Sequence, residues 1–288
     1  MTQEVLAKMR APVENFTRMI NKSSLDGETE HADLYLNVLD DRVIILQQAA
    51  GEVALTYCSF SESYFNELEV FRDIETRSTS KDGKEIEYET GAEAIVNVED
   101  VLAYMSFASD GSDMVEISLL GDDSERLAIY LKAEGALETQ VRLPGGEDAL
   151  SSVPQWLPSR FSENDVFTNP DGDEAPTIID TNSSKLRTII DAVEQDANVE
   201  YYPLVVEDGQ FKISVGEDEG SYVQGTLGAQ NVSGPDIENY YFAGFKEITN
   251  VMSGRVQLQT APGNNPCSMV HNGEDGSVIR HVNGSVTV

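Results

Sequence analysis

Basic residues are scarce in this chain. Against 51 Asp and Glu there are 19 Lys and Arg, a formal net charge of −32 over 288 residues. The acids are spread along the whole length and do not form a tail, so they are not a disordered acidic appendage. A uniformly acidic surface repels itself, and molar salt relieves that repulsion by shortening the screening length to about 3 Å at 1 M. We therefore expect a cytoplasm of high salt, that of a haloarchaeon or of the host of a haloarchaeal virus. An acidic mesophilic protein is the plainer alternative.

Other absences narrow the function. Cys58 and Cys267 are the only cysteines, and two buried, reduced thiols are expected. No apolar run approaches the ~20 residues that span a membrane. Met1–Arg10 is polar and lacks the apolar core of a signal peptide, so a soluble cytoplasmic protein is expected. The three histidines, His31, His271 and His281, are scattered. No Ser/His/Asp or Cys/His arrangement surrounds them, and there is no Gly-rich phosphate loop. The acidic turns Gly121–Asp123 and Asp171–Glu174 lack the ligand spacing of a calcium loop. No enzyme, cofactor or metal site is expected.

What is present is a repeated plan around a connector. Leu143–Pro176 gathers Pro, Gly, Ser and acidic residues and has no period of 2 or 3.6, as befits a linker or functional loop. The pattern predicts units of a strand, a helix, a hairpin and further strands, two before the connector and two after it. Helices are predicted at Pro12–Ser24, with Val13, Phe16, Met19 and Ile20 on one face, and at Asn97–Ser109. Two more are predicted at Ser183–Ala197, capped by Asn182 or Ser183, and at Asn239–Ser253. Hairpins are expected around Asp40-Asp41, at Asp122–Ser124 and at Asp208-Gly209, with a charged turn at Thr79–Glu85. Four helices and about sixteen short strands make an α+β protein, each domain a set of sheets with two helices on one side.

This plan resembles the sliding clamps of DNA replication, the family of the proliferating cell nuclear antigen. The resemblance is strongest in IVNVEDVLAYMSFASDGSDMVEISLLGDDSERLAIYL and in SKLRTIIDAVEQDANVEYYPLVVEDGQFKISVG. RVIILQQAAGEVALTYCSF resembles the strand, partner-binding loop and strand of the family's first domain. The resemblance implies two clamp domains, 1–145 and 177–288, joined by an interdomain connector at 146–176. It implies a head-to-tail homotrimer that encircles duplex DNA, is opened by a clamp loader, and tethers DNA polymerase and other replication or repair proteins through short hydrophobic docking peptides. The chain departs from the family in its longer connector containing Trp156, in a second helix without basic residues, and in a C-terminal RHVNGSVTV that lacks Ala-Pro.

By resemblance, subunits pair through edge strands holding Leu137, Thr139 and Val141 on one copy and Tyr222, Gln224 and Thr226 on the next. The partner groove is walled by Gln48, Val53, Leu55, Val153, Trp156, Pro266, His281 and Asn283. DNA would face Arg18, Lys22, Lys185, Arg187 and Lys246, which fall on three of the four helices beside or opposite the apolar stripe. Solvated helix faces carry such charges too. Trp156, Leu157 and Phe161 either anchor the connector to the sheet beneath or, as QWLPSRF, fill the groove in the absence of a partner. A β-rich structural protein of a haloarchaeal virus particle is the competing function.

Overall fold

In the computed structural model the described residues are 4–23, 33–48, 54–109, 114–121, 128–133, 138–142, 154–169, 171–196, 201–215, 223–227, 231–242, 249, 252–263 and 265–286. They form three antiparallel sheets, a separate two-stranded ribbon and three α-helices: α1 (Val13–Ser23), α2 (Val98–Ser109) and α3 (Ser183–Asp196).

The nine-stranded sheet sets the frame. It takes Ala92–Asn97, Asp33–Val38, Arg42–Gln48 and Ala54–Ser61 from before the connector. From after it come Ser277–Asn283, Cys267–Asn272, Arg255–Thr260, Thr177–Asn182 and Asn231–Ser233. The two contributions meet where Ala54–Ser61 pairs with Ser277–Asn283, Leu55 opposite Val282 and Tyr57 opposite Arg280. Alternation then assigns the faces. Ile45, Cys58, Phe60 and Ile279 join the larger core with Phe16, Met19 and Ile20 of α1 and Leu186 and Ile190 of α3. Tyr35, Leu46, Tyr57, Val270 and Val282 point the other way, under the connector. Helices and connector thus lie on opposite faces of one sheet.

The helices start where the sequence says they should. Asn97 Oδ1 accepts the amide of Asp100 at 3.2 Å, and Asn182 Oδ1 accepts that of Ser184 at 3.0 Å. Each satisfies an amide that the first helical turn leaves without a partner. Of the two candidate caps, Asn182 is therefore the one used. Cys58 and Cys267 are free and buried, and burial pushes the Cys267 thiol up to about 12.

Two expectations are corrected. Asn239–Ser253 does not begin as a helix: Ile237–Phe242 is a strand paired with Tyr201–Glu207. Ile237, Asn239 and Tyr241 are buried while Glu238 is exposed, a period of 2, so pairing won over the helical spacing. Thr249 is helical and most of the remaining residues to Ser253 lie outside the described set. Second, Thr79–Glu85 is not merely a turn but the tip of a ribbon, Glu75–Lys81 against Lys84–Thr90. Asp82 and Gly83 turn it with φ of 53° and 75°, the left-handed pair of a tight hairpin. Asp208 and Gly209, at 51° and 70°, make the same turn at the expected hairpin. The turn at Asp122–Ser124 lies outside the described residues.

Candidate functional site

The connector is packed, not free. From Pro154 it runs through a 3-10 turn at Leu157–Arg160, bridges Phe161 to Phe167 and Thr168 to Glu174, and reaches the strand at Thr177. Leu157 is fully buried, and the rings of Phe161 and Phe167 meet edge to face at 5.6 Å. Two side chains hold it down. The Arg280 guanidinium lies between Tyr57 and Phe161, 5.3 and 5.2 Å from their ring centres, and pairs with Asp165. Buried Gln259 accepts the Phe167 amide at 2.6 Å and donates to the Asp165 carbonyl at 2.8 Å. Burial raises the Tyr57 phenol, with Arg280 opposing that rise.

Where the connector leaves the sheet surface uncovered, a cavity of ≈ 570 Å³ opens. Leu55 and Val282 lie at its floor, neighbours across the junction of the two halves. Trp156, Leu157 and Phe167 supply the connector wall, and Pro266 and Asn265 the turn opposite. Arg160 and Asp173 provide charge at the rim. A mostly apolar cleft with a few polar groups at its edge has the chemistry to take an apolar ligand or peptide. Among the described residues no group of three or more His, Cys, Asp or Glu is placed to hold a metal.

Of the expected groove residues, Leu55, Trp156 and Pro266 come together here. His281 and Asn283 do not. They alternate with Val282 and so point into the opposite, helix-bearing side, each 1% exposed. Position 282, not 281 or 283, is the residue of that strand that lines the cavity. His281 Nδ1 meets Thr56 Oγ1 at 3.0 Å, and burial lowers its pKa to about 3. Gln48 pairs with Leu55 at the strand end and is half-buried, outside the cavity lining. Val53 and Val153 lie outside the described residues. Leu157 and Phe161 are buried and anchor the connector, while Trp156 and Leu157 form part of the cavity's wall, so QWLPSRF borders the cavity and does not fill it. Gln259, Arg280 and Phe167, unnoticed in the sequence, fix that wall.

The basic residues on the helices differ in setting. Lys185 is exposed. Arg18 is exposed and pairs with Glu14 one turn earlier. Arg187 is half-buried and donates to the Thr249 carbonyl at 2.6 Å, so it is engaged within the fold and does not project like its neighbours. The side chain of Lys22 and the whole of Lys246 lie outside the described residues. The strands Glu138–Arg142 and Val223–Leu227 are each the outermost strand of a five-stranded sheet among the described residues. They carry Thr139, Val141, Gln224 and Thr226, whereas Leu137 and Tyr222 lie outside the described set.

Comparison with known proteins found no matching family model and no matching curated protein. Solved structures do match. The PCNA2–PCNA3 complex of Sulfolobus tokodaii aligns at 15% identity and TM-score 0.63 over 96% of this chain and 98% of that one. A. fulgidus PCNA, solved with the C-terminal region of FEN-1, aligns at 12% and 0.67 over 98% and 99%. The beta chain of DNA polymerase III from Streptococcus pneumoniae aligns at 12% and 0.70 over all of this chain and 66% of that one. The chain has the sliding-clamp fold.

Proposed function

We propose that this chain is a processivity clamp of DNA replication. It is a non-enzymatic subunit that joins copies of itself in a ring around duplex DNA and tethers replication proteins by short apolar peptides. The observation that carries the reading is the apolar cavity between the connector and the central strands of a sliding-clamp fold. The solved A. fulgidus neighbour has the C-terminal region of FEN-1 bound to it, and the S. tokodaii neighbour is a complex of two clamp chains. Both support docking peptides and self-association for this chain.

In this reading residues 1–145 and 177–288 are the two clamp domains and 146–176 the connector. Three copies join head to tail through the edge strands at 138–142 and 223–227, which leave no free edge once paired. The helices face the DNA with Arg18, Lys22, Lys185 and Lys246. So few cations in molar salt give weak affinity, which a closed ring placed by a clamp loader tolerates because it holds DNA topologically. The charge of −32 suits a haloarchaeal or viral origin in a high-salt cytoplasm. Apolar docking suits it too, since burial of apolar groups does not weaken as salt screens charge.

Leu55→Asp tests the groove. An unpaired carboxylate under a bound apolar peptide costs several kcal/mol, so the affinity for a fluorescein-labelled FEN-1 C-terminal peptide should fall by about 100-fold or more. Ring assembly should persist, because Leu55 sits in mid-sheet and not on an edge strand. Equal affinity of the two proteins for the peptide would move the partner site elsewhere.

A further inference from the structure

The ribbon Glu75–Thr90 is not required by the docking reading, yet it ends on the groove. Among the described residues its two strands pair only with each other. A lone two-stranded hairpin is marginal in water, and this one is built from Thr, Ser, Glu and Lys with few apolar groups. Contacts at both ends must hold it. At the base, Arg77 donates to buried Glu93 at 2.9 Å, and Glu93 also accepts the Tyr35 hydroxyl at 2.5 Å. Arg42 and Asn37 donate to the Glu89 carboxylate and carbonyl, each at 2.9 Å. The base is therefore fixed to the nine-stranded sheet.

The tip is fixed to the connector. Lys81 Nζ stands 4.5 Å from the centre of the Trp156 ring, and Asp82 pairs with Arg160. The Arg160 guanidinium lies 5.7 Å from the same ring. Trp156 and Arg160 both line the cavity. The ribbon thus spans from the sheet to the groove wall like a strut. Its turn requires a left-handed residue at position 82, and Asp tolerates that conformation while supplying a carboxylate. Arg160 keeps only 13% of its side chain exposed. Without Asp82 the guanidinium loses its counter-ion in a largely dry setting and gains by swinging to water, which pulls on the 157–160 turn.

We infer that Lys81 and Asp82 are positioning residues for the groove: the ribbon holds Trp156 and Arg160 so that the cavity stays formed before a peptide arrives. The inference rests on the docking reading for its consequence but not for its geometry. A preformed wall spares the bound peptide the cost of ordering it.

Two measurements on the full chain separate these. Acrylamide quenching of Trp156, the only tryptophan, needs no peptide. Lys81→Met and Asp82→Asn should each raise the quenching constant by about twofold or more, and Lys81→Arg should restore it. The asparagine keeps the turn, so thermal unfolding should stay at the wild-type value. Titration with the FEN-1 C-terminal peptide should then show affinity reduced roughly tenfold in Lys81→Met/Asp82→Asn and regained in Lys81→Arg/Asp82 wild type. Unchanged quenching, or loosened Trp156 with wild-type affinity, overturns the inference. If the wild type binds no peptide, the docking reading fails; the strut's hold on Trp156 is then judged by quenching alone.

Discussion

Replacing Arg280 by Met should release the connector while leaving the sheet beneath it folded. The methionine keeps most of the stem that packs over Tyr57 and Phe161 but removes the charge. Two ring contacts inside 6 Å, partly desolvated, contribute about 1 kcal/mol each. The pair with Asp165, whose side chains are 20% and 28% exposed, contributes about 1 kcal/mol after screening. These terms share one guanidinium and will not add fully, so about 2 kcal/mol is the expected loss in holding the connector down. That is roughly a 30-fold increase in local opening, since about 1.4 kcal/mol is a factor of ten. The reporters are amides whose partners lie within the connector or on Gln259: Phe161, Ser162, Phe167, Thr168 and Ala175. Hydrogen exchange at these five should accelerate by about that factor, with the amides of Ala54–Ser61 unchanged. In 3 M KCl the acceleration should shrink only modestly, because screening acts on the ion pair more than on the ring contacts. Acceleration of less than about threefold at low salt would refute the claim that Arg280 pins the connector.

The remaining predictions concern pH and assembly. His281 is held neutral in the fold with a pKa of about 3, below its ordinary 6.5, so the unfolded chain binds the proton more readily. Its contribution is complete above pH 6.5 and is lost as pH falls toward 3, with a slope of up to about 1.4 kcal/mol per pH unit. The stability difference between wild type and His281→Gln, read from denaturant melts at pH 7 and 5, should therefore shrink or reverse at the lower pH; a difference independent of pH would show that His281 is not buried. On the proposed head-to-tail trimer, Val141→Pro or Thr226→Pro, each on an outermost strand, should lower the mass measured by light scattering in molar KCl to that of a monomer. An unchanged mass would place the subunit contact on another surface.

The parts of the fold that read correctly share one physical property: the signal is local. Val13, Phe16, Met19 and Ile20 sit on one helical face and are all buried, because a 3.6-residue period needs no knowledge of the rest of the chain. Asp208-Gly209 marks its hairpin in the same way. The Asp82-Gly83 pair makes an identical turn, but its flanks, TRSTSK and KEIEYE, lack the alternation of apolar residues that identifies strands. They form a ribbon all the same because Arg77, Lys81 and Asp82 are held by partners distant in sequence. At Ile237–Phe242 both periods were available in the residues, and the neighbour Tyr201–Glu207 decided between them.

The site shows the same division at finer grain. Leu55 lines the cavity, and its partner across the junction, Val282, lines it too, whereas the resemblance pointed to 281 and 283. In a strand an error of one residue moves the side chain to the other face, here from an apolar cavity into a buried cluster where a histidine must stay neutral. Phase of this kind is fixed by the register of Ala54–Ser61 against Ser277–Asn283, a pairing across more than half the chain. Gln257 and Gln259 alternate with Val256 and Leu258, which in isolation reads as a polar face turned to water. It is instead a face covered by the connector. A loop laid over a sheet brings peptide groups that need partners out of water, and Gln259, with both a donor and an acceptor, meets the Phe167 amide and the Asp165 carbonyl at once. A long connector with aromatic residues in a polar setting thus carries a second implication. Somewhere beneath it, polar side chains on the sheet must be placed to take its backbone, and Gln259 is such a side chain.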